Sequence, residues 1–150
     1  IKTLSKFFNY ENLDQIKNFH SSVDVICSAN VIAHIPDLCD VIKSVDKLLS
    51  SKGLLIFEEP YLGSMFSKIS YDQIYDEHIY IFSAHSVKKI FNLYDFDLID
   101  IISQPSHGGS MRYVIGRKGK HEIKASVNKI MDTEKKLLLD KIFSLTLSSI

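Results

Sequence analysis

Between Tyr71 and His78 the chain reads Tyr-Asp-Gln-Ile-Tyr-Asp-Glu-His, which packs phenol, carboxylate and imidazole groups into one short stretch. Free histidine titrates near pH 6.5 (about one unit of environment-dependent spread), so an imidazole can take or give a proton near neutrality, and a neighbouring carboxylate can orient it. A tyrosine hydroxyl can hydrogen-bond a developing enolate. Tyr75, Glu77 and His78 therefore form a trio able to remove a proton beside a ketone. The same residues on an ordinary polar loop would simply face water, and geometry decides between the two.

A second cluster, Ser106-His107-Gly108-Gly109-Ser110, follows the next predicted strand. Its small residues let backbone amides approach a ligand closely. A His-Gly-Gly run is also found in the oxyanion loops of esterases, yet the chain has no Gly-x-Ser-x-Gly elbow to supply a nucleophile, which weakens a hydrolase reading. The two glycines are equally compatible with a tight hairpin. Arg112 can pair with a phosphate or stand solvated on a strand, and His85 belongs to the first turn of a helix. Neither His34 with Cys39 nor His78 with His85 has a recognised metal-ligand spacing, so no metal site is expected.

The elements that must position these groups can be read from hydrophobic spacing. Ser22 to Asn30 is a short run rich in valine and isoleucine, as in a strand buried on both faces of a parallel sheet. Pro36 suits a first helical position, and Leu38, Val41, Ile42, Val45, Leu48 and Leu49 recur at helical spacing until Gly53 closes the segment. Leu54 to Phe57 resumes a strand pattern and stops at Glu58-Glu59-Pro60, completing a strand-helix-strand unit with parallel pairing. Val87, Ile90, Phe91 and Tyr94 mark a second helix, Phe96 to Ile102 a third strand and Met111 to Arg117 a fourth. The short Pro105 to Gly109 connection makes the last two strands antiparallel, giving a mixed sheet edge. Thr3 to Phe8 reads as the tail of another strand, Glu11 to Phe19 as a short helix, and Val127 to Leu145 as a long one. In open α/β sheets ligands sit beyond the carboxyl ends of the strands. Asn30, His34, Glu58 and Glu59 lie there and are cofactor-side candidates; Asn30 reads equally as a turn residue and His34 as a loop histidine.

With 150 residues, 45% of them hydrophobic, the chain can bury a core. Eighteen basic and eighteen acidic residues cancel, leaving no basic footprint for nucleic acid or an anionic membrane. Cys27 and Cys39 lack a C-x-x-C spacing and are expected to be buried, reduced thiols, which fits a cytoplasmic setting. No apolar run approaches the roughly 20 residues of a spanning helix. The chain opens at Ile1 without methionine and stops at Ile150 inside a helical pattern, as a fragment would.

Three stretches carry a family resemblance: SVDVICSANVIAHIPDL, EEPYLGSMFSKISYDQIYDEHIYIFSAHSV and SHGGSMRYV. Their order and separation, above all I-Y-D-E-H followed by F-S and then H-G-G-S-x-R, resemble S-adenosylmethionine-dependent C-methyltransferases acting on nucleotide-linked deoxysugars. The resemblance implies a partial Rossmann-like class I methyltransferase sheet, its second half with an antiparallel last strand, in an α/β fold. It implies S-adenosylmethionine as cofactor, with Ala29 and Asn30 on the cofactor side, and a thymidine-diphosphate keto-deoxysugar as substrate. His78 would be the general base, Tyr75 and Glu77 would orient it or bond the sugar, and His34 and Asn30 would line the pocket. His107, Gly108, Gly109 and Ser110 would help close the sugar site.

The family's glycine-rich loop, its ribose-binding acidic residue and its cysteine-rich zinc-binding region have no counterpart here. Residues 1–120 are then the C-terminal half of the catalytic domain and residues 121–150 the truncated start of a substrate-binding domain. Such a fragment is expected to be inactive without the remaining N- and C-terminal parts of the enzyme. Two other readings are a noncatalytic nucleotide-sugar binding module and a methyltransferase acting on oxygen or nitrogen.

Overall fold

The computed structural model describes residues 2–18, 21–70, 74 and 76–147, with side chains as far as residue 137. In chain order the elements are α1 (Leu13–Lys17), β1 (Val23–Ala29), a 3-10 turn (Ile32–His34), α2 (Leu38–Leu48), β2 (Leu49–Pro60) and α3 (Leu62–Lys68). There follow α4 (Ala84–Asn92), β3 (Phe96–Gln104), a second 3-10 turn (Ser106–Gly108), β4 (Ser110–Arg117) and α5 (Ala125–Leu147). The four strands form one sheet in the order β1-β2-β4-β3, with β1 parallel to β2 and β4 antiparallel to both of its neighbours.

Side-chain alternation divides the sheet into two unlike faces. Leu55 and Phe57 of β2, Met111, Tyr113 and Ile115 of β4, and Leu98 and Ile101 of β3 turn inward. They meet Val41, Ile42 and Val45 of α2, Val87 and Phe91 of α4, and Val127 of α5 in one core. Phe57 lies at its centre, stacked on Tyr113 with ring centroids 4.9 Å apart and flanked by Phe82 and Phe91. On the other face Cys27, Ala29, Ile56, Glu58, Ile102, Arg112 and Val114 remain exposed or half-buried. No described helix is long and apolar enough to cross a membrane.

The helix ends follow from local chemistry. The Asp37 side chain accepts from the Asp40 N–H at 2.9 Å and caps α2, so the helix starts at Leu38 and Pro36 stands outside it. Ser83 and Ser86 cap α4 reciprocally: Ser83 Oγ accepts from the Ser86 N–H at 3.1 Å, and Ser86 Oγ from the Ser83 N–H at 2.9 Å. Gly53 does not end a helix. It lies inside β2, where a Cβ would stand 2.7 Å from Leu49 Cγ and 3.1 Å from the Asp24 carbonyl, at a register slip between β1 and β2.

Three further expectations need correction. Residues 3–8 form no strand, and Leu4 and Phe7 stand 37% and 84% exposed instead of packing against the sheet. The antiparallel strand is not at the edge, since β4 pairs on both sides and lies between β2 and β3. The two thiols are free but exposed, Cys27 on the open sheet face and Cys39 on the outer side of α2. Helix α3 was not legible beforehand; it is only seven residues long and ends with Ile69 in the left-handed region at φ 54°.

Candidate functional site

The carboxyl ends of β1 and β2 organise the site. β1 stops where Asn30 turns into the left-handed region at φ 53°, which asparagine tolerates well, and the Asn30 N–H donates to the Glu58 carbonyl at 2.9 Å. Asn30 Oδ1 is buried and has no hydrogen-bond partner among the described residues. Next, the N–H groups of Val31 and Ile32 donate to Glu59 Oε1 at 3.0 and 2.7 Å, which holds the start of the turn carrying His34. Burial pushes the Glu59 carboxyl above the usual carboxylate range, against the pull of these N–H groups and of His34.

His34 and His78 then come together. The Ala33 carbonyl accepts from the Ile79 and Tyr80 N–H groups at 3.0 and 3.3 Å, and the Tyr80 hydroxyl donates to the Pro36 carbonyl at 2.6 Å. These bonds fasten the segment around His78 to the turn that bears His34. The two imidazoles lie with ring centroids 4.9 Å apart, tilted by 56°, and both are half-buried. Glu77 is exposed beside His78, while Tyr75, with Tyr71 to Gln73, lies outside the described residues.

The glycine loop docks on the same strand end. Consecutive N–H groups hold both loops, Tyr61 donating to the Gly109 carbonyl at 3.2 Å and Leu62 to the Phe82 carbonyl at 2.9 Å. Lys68 Nζ donates to the Gly108 carbonyl. Gly109 sits at φ 127°, and a Cβ there would lie 2.5 Å from Ser64 Oγ, so a glycine is required for this approach. His107 is exposed at φ 48°, whereas Ser110 is buried and its hydroxyl donates to the Ser106 carbonyl at 3.1 Å.

Glu58 and Arg112 are engaged with one another. Arg112 donates to Glu58 Oε2 at 2.9 and 3.2 Å, and the Ser106 hydroxyl donates to Oε1 at 2.8 Å. The Ser106 hydrogen bond, with Arg112 and against partial burial, holds the Glu58 carboxyl below its ordinary range. His85 adds a contact that sequence reading missed. Its Nδ1 lies 2.6 Å from Glu134 Oε2, and the buried Glu134 accepts from the Ala84 and His85 N–H groups at the start of α4. Burial, with the nearby Glu134 carboxylate, raises the Tyr61 hydroxyl above its usual value.

Strand parity could have revealed the inward direction of Glu59, because Leu55, Phe57 and Glu59 alternate along β2. No local signal marks Glu134, whose partners lie about fifty positions away in sequence, a separation at which only the folded chain reports contact. Among the described residues no group of three or more His, Cys, Asp or Glu side chains could hold a metal ion.

The family model described as a methyltransferase domain matches residues 4–101, more than half the chain. The C-methyltransferase NovU of Streptomyces niveus is 27% identical over 136 residues, covering 90% of this chain and 32% of that protein. The chain thus spans about a third of that relative's length. Among solved structures, a SAM-dependent methyltransferase from Anabaena variabilis superposes with a TM-score of 0.52 at 17% identity, over 74% of this chain and 56% of the other. The N-methyltransferase NodS of Bradyrhizobium japonicum gives a TM-score of 0.42 at 15% identity, over 67% and 48%. The mixed sheet is a partial class I Rossmann-like sheet, and the chain belongs to the methyltransferase domain family, with S-adenosylmethionine as its cofactor.

Proposed function

We propose that the protein carrying this chain methylates a carbon of a nucleotide-linked keto-deoxysugar through a base-generated enolate. The pairing of His34 with His78 at 4.9 Å, beyond the carboxyl ends of β1 and β2, is the observation that supports this reading most. The likeness to a C-methyltransferase over 90% of the chain supports carbon as the acceptor.

The residues at the end of β1 fit the cofactor. Asn30 Oδ1 is a buried acceptor with no partner among the described residues, and a ligand N–H or O–H would satisfy it. Ala29 and Asn30 would hold the cofactor, which when bound supplies an electrophilic methyl group. Because that methyl is already activated, the protein's own task is positioning and proton management.

His78 takes the proton from the carbon beside the ketone, and the C–H electron pair becomes the enolate. His34 donates a hydrogen bond to the oxygen on which charge builds. Tyr75 and Glu77 orient His78 or bond the sugar, and Asn30 lines the same pocket. The loop from His107 through Gly108 and Gly109 to Ser110 closes over the sugar. The enolate's electron pair would then form the new carbon–carbon bond to the methyl group that the cofactor supplies, the sulfur keeping the pair of the broken methyl–sulfur bond, while His78 holds the abstracted proton. Residues 1–120 belong in this reading to the catalytic domain and residues 121–150 begin a substrate-binding domain, with the other parts of the same enzyme completing both sites.

The test is solvent exchange. In deuterium oxide, the protein with S-adenosylmethionine and a panel of thymidine-diphosphate keto-deoxysugars is expected to exchange the proton beside the ketone and to yield a carbon-bound methyl group by mass spectrometry. His78→Asn is expected to bind cofactor normally and to lose both exchange and methylation. Exchange retained in that variant overturns the assignment of the base. Methylation of oxygen or nitrogen without exchange overturns the enolate route.

A further inference from the structure

Glu59 is a costly residue to place at the end of β2. Its side chain is fully buried, and Oε2 has no hydrogen-bond partner among the described residues. An unsatisfied buried oxygen destabilises the fold, and an apolar side chain there would avoid that cost. What the carboxyl group does provide is a single acceptor, Oε1, for two successive backbone donors, Val31 and Ile32.

Those two donors open the 3-10 turn Ile32–His34. The same turn presents the Ala33 carbonyl, which accepts from both Ile79 and Tyr80. A continuous set of bonds therefore runs from Glu59 to the turn, and from the turn to the backbone next to His78. Each histidine stands one position from the atoms so held: His34 follows Ala33, and His78 precedes Ile79.

We propose that Glu59 is a positioning residue whose buried acceptor fixes the 31–34 turn and, through the Ala33 carbonyl, sets His34 and His78 against each other. The proposal rests on the reading of His78 as the base for its functional meaning, while the positioning itself is a structural claim that can be tested separately. Without the acceptor, the buried Ile32 amide and the part-buried Val31 amide lose their partner and the turn moves to find another. Both imidazoles then move with it.

The experiment compares Glu59→Gln, Glu59→Asp and Glu59→Ala in the protein that carries this chain. The readouts are the imidazole ring resonances of all histidines by NMR and the kinetic split between kcat and KM. Gln keeps an acceptor oxygen at the same reach and is expected to leave the His34 and His78 resonances and kcat nearly unchanged. Ala is expected to shift both sets of resonances together, leaving His121 in place, and to lower kcat roughly 10- to 100-fold with a smaller change in KM. Asp keeps the carboxyl group but shortens the reach by one methylene, so it is expected to move the same two histidines, and it carries the test if the Ala variant fails to fold. Unmoved resonances in Asp, or in a folded Ala variant, overturn the proposal. So does a Gln variant that loses activity with both histidines in place, since the charge rather than the geometry would then matter. If the Ala or Asp variant moves both histidines while His78→Asn retains proton exchange, the positioning stands and the base assignment alone falls.

Discussion

Glu58 and Glu59 are neighbours with opposite environments, and pH should separate them. Glu58 is hydrogen-bonded by Ser106 and Arg112, which hold its carboxyl low. Its contribution to stability is therefore present above the ordinary carboxylate range and lost as pH falls through the folded value. Glu59 is pushed up by burial, so the fold favours its neutral form. That contribution is complete below the ordinary carboxylate range and lost as pH rises through the folded value. Thermal unfolding across a pH series should show Glu58→Gln weakening the acid-side loss of stability and Glu59→Gln weakening the loss on the other side. Equal pH profiles in the two variants would mean that strand parity does not set their chemistry.

At the scale of elements, α5 packs on the core through Val127 and reaches the start of α4 through Glu134. Glu134 caps the first N–H groups of α4, meets His85 and lies near Tyr61, whose ring packs against Gly63 so closely that a Cβ there would lie 2.4 Å from it. Glu134→Ala leaves buried donors unpaired and should cost about 2–3 kcal/mol of stability, measured by denaturant unfolding. Glu134→Gln, which keeps an acceptor, should cost less. The elements that were legible beforehand are those whose apolar spacing is long and regular, such as α2, β3 and β4. Helix α3 was not, because Leu62, Met65 and Phe66 stand at helical spacing over one turn only, and the Leu49 to Gly53 stretch reads as helix end although pairing with β1 makes it strand. The candidate site was legible as two clusters of residue types. Its buried supports were not, since Glu59 and Glu134 act on partners far along the chain.

For the molecule as a whole, the sheet's two faces differ in what they have been given to pack against. The inner face lies under α2, α4 and α5, whereas Val25 and Ile102 on the outer face stand 52% and 42% exposed. The 150-residue chain by itself should therefore bind a hydrophobic dye. Val25→Lys with Ile102→Lys should reduce that binding and leave the unfolding midpoint almost unchanged. A large drop in the midpoint would show that these residues are packed in solution.

The position of β4 also governs the order in which the sheet can be completed. The strand made last is the one that joins the rest, because β3 reaches β2 only through β4. While the chain is being synthesised, β1, α2 and β2 can assemble as soon as they emerge, and Phe91 of α4 can already pack on Phe57, but β3 has no place on the sheet until residues 110–117 arrive. A nascent chain paused ahead of Ser110 should expose β3 to proteolysis while the β1–β2 pair is protected, and release of residues 110–117 should close the gap in one step.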